Sequence, residues 1–196
     1  MTDKKEPPCC EIGNHLKHTE KTKYAFLVSF ASLLLAAAFI FDSPRDILKG
    51  SWVILVSPAN LVTDYFALAN IGATLLNASV MAFLTIATVA LARAEITGLV
   101  IASVFTVAGF SMFGKNLYNS LPIMFGVAIY CKLSRIPFRD NLLPAFFGTA
   151  LAPLVSEISF NLGLPLAASL PLGILAGFLS GLVIPPLSRH FLNFHQ

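Results

Sequence analysis

Charge is what this sequence has least of. Asp, Glu, Lys and Arg make up 12% of its 196 residues, against about 25% in a soluble domain. That scarcity, with 56% hydrophobic residues and a mean hydropathy of +0.77, excludes an ordinary water-soluble fold. Cysteine is also rare. Cys9 and Cys10 are neighbours in a polar tail and Cys131 ends an apolar run, so no CxxC or Cys/His metal spacing exists. All four histidines, at 15, 18, 190 and 195, lie near the termini. No nucleophile elbow, HExxH, Walker loop or dinucleotide glycine fingerprint occurs, which leaves enzymatic chemistry without a set of groups. No cofactor and no metal are expected. The three cysteines read as reduced thiols. The alternatives are lipidation, or adventitious metal binding by Cys9, Cys10, His15 and His18. The net charge of +3 carries no basic stripe with aromatics, so no nucleic acid is expected as a partner.

What is present is a series of apolar runs. The fold class expected is all-α: a polytopic transmembrane bundle of about six spans in a lipid bilayer. Residues 1–23 form a polar tail, 24–188 the membrane domain and 189–196 a short C-terminal tail. The spans fall at roughly 24–41, 61–92, 96–113, 117–133, 142–160 and 164–187. The first has no small-residue cleavage site after it and reads as a retained span. Trp52–Val56 is too short to cross, so residues 52–60 read as an interfacial or re-entrant piece with Trp52 as anchor. Pro122 bends or breaks the helix at 117–133.

Lys and Arg set an orientation. With the N-terminus inside, ten of the 13 fall inside (Lys4, Lys5, Lys17, Lys21, Lys23, Arg93, Lys132, Arg135, Arg139 and Arg189), leaving Arg45, Lys49 and Lys115 outside. Both termini are therefore expected in the cytoplasm of a multi-pass cell-membrane protein. A full crossing by residues 52–66 would invert everything downstream.

The polar residues among the apolar runs are the candidate site. Lys115, Asn116, Tyr118 and Asn119 sit between two long apolar segments, where an unpartnered amide or ammonium is costly. Either they line a path for a small polar solute, or Lys115 snorkels to the surface while Asn116 and Asn119 cap a helix start. Asn70 and Asn77, one heptad apart, share a face of the second span and act either as helix glue or as part of the path. Asp64 and Glu157 are candidate ion-pair partners for Lys115, or else interfacial carboxylates. Gly173, Gly177 and Gly181 repeat every four residues, the small-xxx-small pattern of close helix packing, and this face is the expected contact with a second chain.

Three stretches carry a resemblance: Ser57–Phe66 with Asn70–Ala73 and Leu76–Ala78, then Gly109-Phe110 with Phe113–Asn116 and Asn119, then Thr149–Ser156. Over roughly residues 25–195 they resemble a prokaryotic integral membrane family catalogued only as a domain of unknown function. Its members are usually about twice this length and carry two related halves. The resemblance therefore implies a single-unit homologue, a split gene or a truncated one, working as a homo-oligomer or with a second homologous half. A weaker, architectural similarity is to urea transporters, in which an asparagine-bearing half-helix leads into small-residue spans; Phe113–Asn119 lies where such a helix would start. Lys115 departs from that pattern and argues against free passage of a neutral solute. The expected function is a transporter or channel-like protein for a small polar solute. The alternative is a non-transporting structural or assembly subunit, in which Lys115 and the asparagines are all paired with protein groups.

Overall fold

The computed structural model describes the backbone of residues 9–59 and 63–193 and the side chains of 19–59 and 63–190. The described chain is helical, with nine α-helices, two short 3-10 turns and no strand. They are α1 (Cys9–Phe41), α2 (Pro44–Val56), α3 (Tyr65–Leu68), α4 (Ile71–Leu91), α5 (Gly98–Phe110), α6 (Leu117–Leu133), α7 (Leu142–Gly148), α8 (Ala152–Phe160) and α9 (Leu166–Asn193). The side chains of Cys9, Cys10, His15, His18 and His195 lie outside the described residues.

Four stretches are long and apolar enough to cross a membrane: Thr19–Phe41, Ile71–Leu91, Phe138–Phe160 and Leu166–His190. Among the described residues these stretches do not reach the expected count of about six. The reason is length. α5 has 13 residues and α6 has 17, about 20 and 25 Å of helix against a hydrocarbon core of ~30 Å. The α1 and α9 stretches are only 17% and 22% buried by the rest of the chain. They turn Phe26, Leu33, Ile40, Leu175, Leu179 and Val183 outward, which suits a lipid surface and not water.

α4 is the axis of the first half. It runs antiparallel to α1: Gly72 N donates to Asp42 Oδ2 (2.7 Å), and Ser79 Oγ to Ala31 O (2.8 Å). α5 returns along α4 and also meets α1, where Phe105 lies against Phe30, and Leu27, Met81, Ile86, Val89, Val100, Val104 and Val107 form the core among the three. In the second half, α7, a 3-10 turn at Thr149–Leu151 and α8 together make one broken span, and α6 and α9 close against it.

The short helices begin with their own stop and start signals. Ser43 caps α2 by accepting from Asp46 N, with Pro44 at the first helical position. α2 therefore starts eight residues before the Trp52 expected to open the interfacial piece. Its charged residues Arg45, Asp46 and Lys49 hide a buried stripe of Ile47, Gly50 and Ile54. The expected span 61–92 is also interrupted. α3 is one turn, and Asn70 is the N-cap of α4, accepting from Ala73 N, so it lies before the helix and not on its face. Pro122 does not break α6, which continues unbroken to Leu133.

Candidate functional site

The turn from α5 to α6, residues 111–116, is where the buried polar groups meet. Its depth follows from Asn77, whose Nδ2 donates to Ser111 O (2.6 Å) and Lys115 O (2.8 Å). Asn77 lies six residues into α4, about 9 Å along its axis from the Ile71 end. α5 and α6 both have their far ends near the Leu91 end of α4, since Ile96, Val100 and Leu142 share one cluster there and Cys131 packs on Ala145. The pair is thus a hairpin whose tip stops well short of the Ile71 end. α2 comes to that tip from the opposite side. Near its start Asp46 O accepts from Asn70 Nδ2 (3.0 Å), and in its last turn Ile54 O accepts from Asn116 Nδ2 (3.0 Å). Tyr65 N donates to Met112 O (3.2 Å), and Asp64 pairs with Phe113 in an isolated antiparallel bridge.

Gly114 turns the tip with φ of +97°, a backbone conformation that favours glycine. Asn116 and Asn119 then form a reciprocal capping box. Asn119 N donates to Asn116 Oδ1 (3.0 Å), and Asn116 N donates to Asn119 Oδ1 (2.8 Å). Each amide nitrogen reaches further. That of Asn116 also donates to Tyr65 OH (3.1 Å), and that of Asn119 to Gly114 O and Ser156 Oγ (both 2.9 Å). Both asparagines are 0% exposed. Their amides are fully matched by protein groups, as a structural seam requires.

Lys115 is different. It does not snorkel: the residue is 3% exposed. Its Nζ donates to Thr149 Oγ1 (2.7 Å) and lies 5.4 Å from the centre of the Phe110 ring. Thr149 Oγ1 in turn donates to Phe146 O (2.5 Å), so it accepts from the lysine. Among the described residues no carboxylate comes within 4.0 Å of the ammonium. The expected pairing with Asp64 or Glu157 is absent. Asp64 is exposed and caps α3 through Phe66 N (2.9 Å). Glu157 accepts from Asn161 Nδ2 through Oε1, while its buried Oε2 has no partner. A buried ammonium held by one hydroxyl and one ring is under-compensated.

Of the candidate path residues, Lys115, Asn116, Asn119 and Asn77 come together. Tyr118 faces α8 instead, its hydroxyl 2.7 Å from Ser159 Oγ. Asn70 stays at the Ile71 end with Asp46. Thr149 and Tyr65 were missed as site residues. No spacing ties Thr149 to Lys115, which is 34 residues away; it sits in a 3-10 turn between two proline-bearing helices. Among the described residues no three His, Cys, Asp or Glu side chains group as metal ligands.

Gly173, Gly177 and Gly181 do form a packing face, but it is covered within the chain. A Cβ on Gly181 would fall against Ile123 O, one on Gly126 against Phe178 O, and one on Gly173 against Ser159 Oγ. The face joins α9 to α6 and α8, so the expected contact with a second chain through it is replaced by an internal seam.

A family model described as "Protein of unknown function (DUF1576)" matches residues 43–196. The chain belongs to the DUF1576 family. The match takes in both broken regions and the whole Lys115 junction, and it begins after α1, later than the resemblance over 25–195. DUF1576 carries no activity in its description. Comparison with curated proteins and with solved structures returned no match.

Proposed function

We propose that this protein conducts a small polar solute across the bilayer, and that Lys115 selects for one carrying negative charge. The observation that carries the reading is the ammonium held at the tip of the α5–α6 hairpin with no carboxylate beside it among the described residues. A fixed charge at that depth is stable only if a counter-charge visits it or if it pairs. Two interrupted elements flank it, the 111–116 turn and the 3-10 turn at Thr149–Leu151. Backbone of this kind at bilayer depth is tolerated inside protein or beside a water-filled path, and transporters use such breaks to present polar groups to substrate. With the asparagine amides matched, the path is shut in this conformation. Opening requires the Lys115–Thr149 contact to exchange for a solute.

The reading places both termini in the cytoplasm. α2 then enters from outside and the α5–α6 hairpin from inside. It includes a second copy, or a homologous second half, to complete the path. It assigns no catalytic step.

The matched amides favour one competing reading, a seam that only holds helices together. Proteoliposome flux separates the two, with formate as a charged probe and urea as a neutral one. Asn116→Leu and Asn119→Leu abolish formate flux if the junction is a path. Equal flux in wild type, both variants and empty liposomes rejects it. Urea flux without formate flux rejects the role given to Lys115.

A further inference from the structure

At the Leu91 end of α4 lies an open cavity of about 1090 Å³, whose lining runs from Arg93 to Phe147 and Gly148, next to Thr149 in the chain. We propose that it binds an anionic phospholipid, with the phosphate on Arg93 and Arg189 and an acyl chain along Leu143, Phe147 and Ile184. The walls argue for an amphiphile. Leu143, Phe147 and Ile184 line the cavity together with Arg93, Arg139, Arg189, Glu95 and Asp140. Phe147 is 47% exposed and lies six residues beyond Asn141, about 9 Å deeper along the chain's helical rise. The volume exceeds the usual ~300–1,000 Å³ of a small-molecule pocket, and apolar walls beneath a basic rim suit a lipid better than a hydrated solute.

The charges leave room for a phosphate. Arg139 Nε lies 3.7 Å from Asp140 Oδ1, which sets that pair aside. The Arg93 side chain makes no hydrogen bond or ion pair among the described residues, and the Arg189 side chain has a single long one, Nη2 to Asn141 Oδ1 at 3.5 Å. Two guanidiniums therefore face one remaining carboxylate, Glu95. Asn141 supplies the independent pointer. It lines the cavity and is 1% exposed, and its Nδ2 is the one buried side-chain nitrogen among the described residues without a partner. The guanidinium donor turns the amide oxygen toward Arg189, so Nδ2 is left as a free donor. The Cys131 thiol beside it is a weak acceptor at best. A phosphate or ester oxygen would satisfy the amide and bridge it to the arginines. Positive-inside bias puts this rim at the cytoplasmic headgroup level, where anionic lipids concentrate. The site does not depend on the transport reading.

Native mass spectrometry of the purified full chain in detergent tests it, with phosphatidylglycerol, phosphatidylcholine and inorganic phosphate as probes. Phosphatidylglycerol should be retained about tenfold over phosphatidylcholine. Arg93→Gln and Arg189→Gln should each weaken it about fivefold, ~1 kcal/mol per arginine near the surface. Asn141→Leu should weaken it too, and Arg135→Gln, outside the cavity, should leave it within twofold. Arg93 is exposed and unpartnered, so its variant carries the test if Arg189→Gln misfolds by thermal melt. Equal retention of the two lipids, or unchanged binding in Arg93→Gln with a native melt, overturns the proposal. Displacement of the lipid by millimolar phosphate alone also overturns it and marks a free-phosphate site.

Discussion

The Lys115 junction and the Gly181 seam are both buried, both lie among broken or proline-bearing helices, and are held by opposite means. At the junction, polar side chains do the joining. Asn77, Asn116 and Asn119 tie α2, α4, α6 and α8 to the hairpin tip through carbonyls and hydroxyls. At the seam there is almost no side chain at all, and α6 and α9 meet backbone to backbone across Gly126 and Gly181. In lipid there is little hydrophobic gain from bringing two helices together, so packing and hydrogen bonds must do it. Where α6 meets α9 the seam relies on packing, and one buried hydrogen bond, Ser169 Oγ to Ser159 O (2.7 Å), adds to it between α9 and α8. The junction uses hydrogen bonds, one of them from the Lys115 ammonium to Thr149, and among the described residues no carboxylate stands beside that ammonium. On the proposed reading, that buried charge is what separates a site from a joint.

The largest effect should come from the seam. Gly181→Leu puts a branched side chain where even a Cβ meets the Ile123 carbonyl, and it should prevent a monodisperse fold on gel filtration; Gly181→Ala should cost ~3 kcal/mol in a denaturation midpoint. A native-like Gly181→Leu would show that α6 and α9 do not approach as described. Next, Asn116→Leu strands Ile54 O, Tyr65 OH and Asn119 N in the interior and should cost about 3 kcal/mol by the same measurement. Lys115→Met sharpens the contrast through its sign. Replacing an under-compensated buried charge by an apolar chain of similar volume is often neutral or stabilising by ~1–4 kcal/mol, and Thr149 keeps its bond to Phe146 O. The variant should melt at or above the wild-type temperature. A drop comparable to that of Asn116→Leu would make the lysine a structural member. Asn70→Ala removes a cap at the exposed end and should cost ~1 kcal/mol. Glu20→Gln breaks the part-exposed pair with Lys23 (2.7 Å) and should change stability by less than ~0.5 kcal/mol.

Much of this was legible in the residues, for physical reasons. The α6 bounds of 117 and 133 follow from Asn116 as a cap and the basic run after Leu133. The glycine period of four gave the packing face of α9. The cost of burying Lys115 and its asparagines made the junction stand out before any fold was known. The partner of the glycine face was not legible, because period reports a face and not what covers it. α2 was hidden by Arg45, Asp46 and Lys49, although Ser43 and Pro44 carry the start signal and Ile47, Gly50 and Ile54 its buried stripe. Asn70 looked like a helix-face residue because the heptad spacing to Asn77 is blind to a cap. The contact of Thr149 with Lys115 was not legible, since a pairing 34 residues distant depends on how α7 and α8 break.

The most direct test is formate flux into proteoliposomes carrying equal amounts of folded wild type and Lys115→Met. Loss of flux in the variant, at a melting temperature no lower than that of wild type, is the expected result. Flux equal to wild type in a stably folded Lys115→Met would contradict the assignment of Lys115 to the solute path.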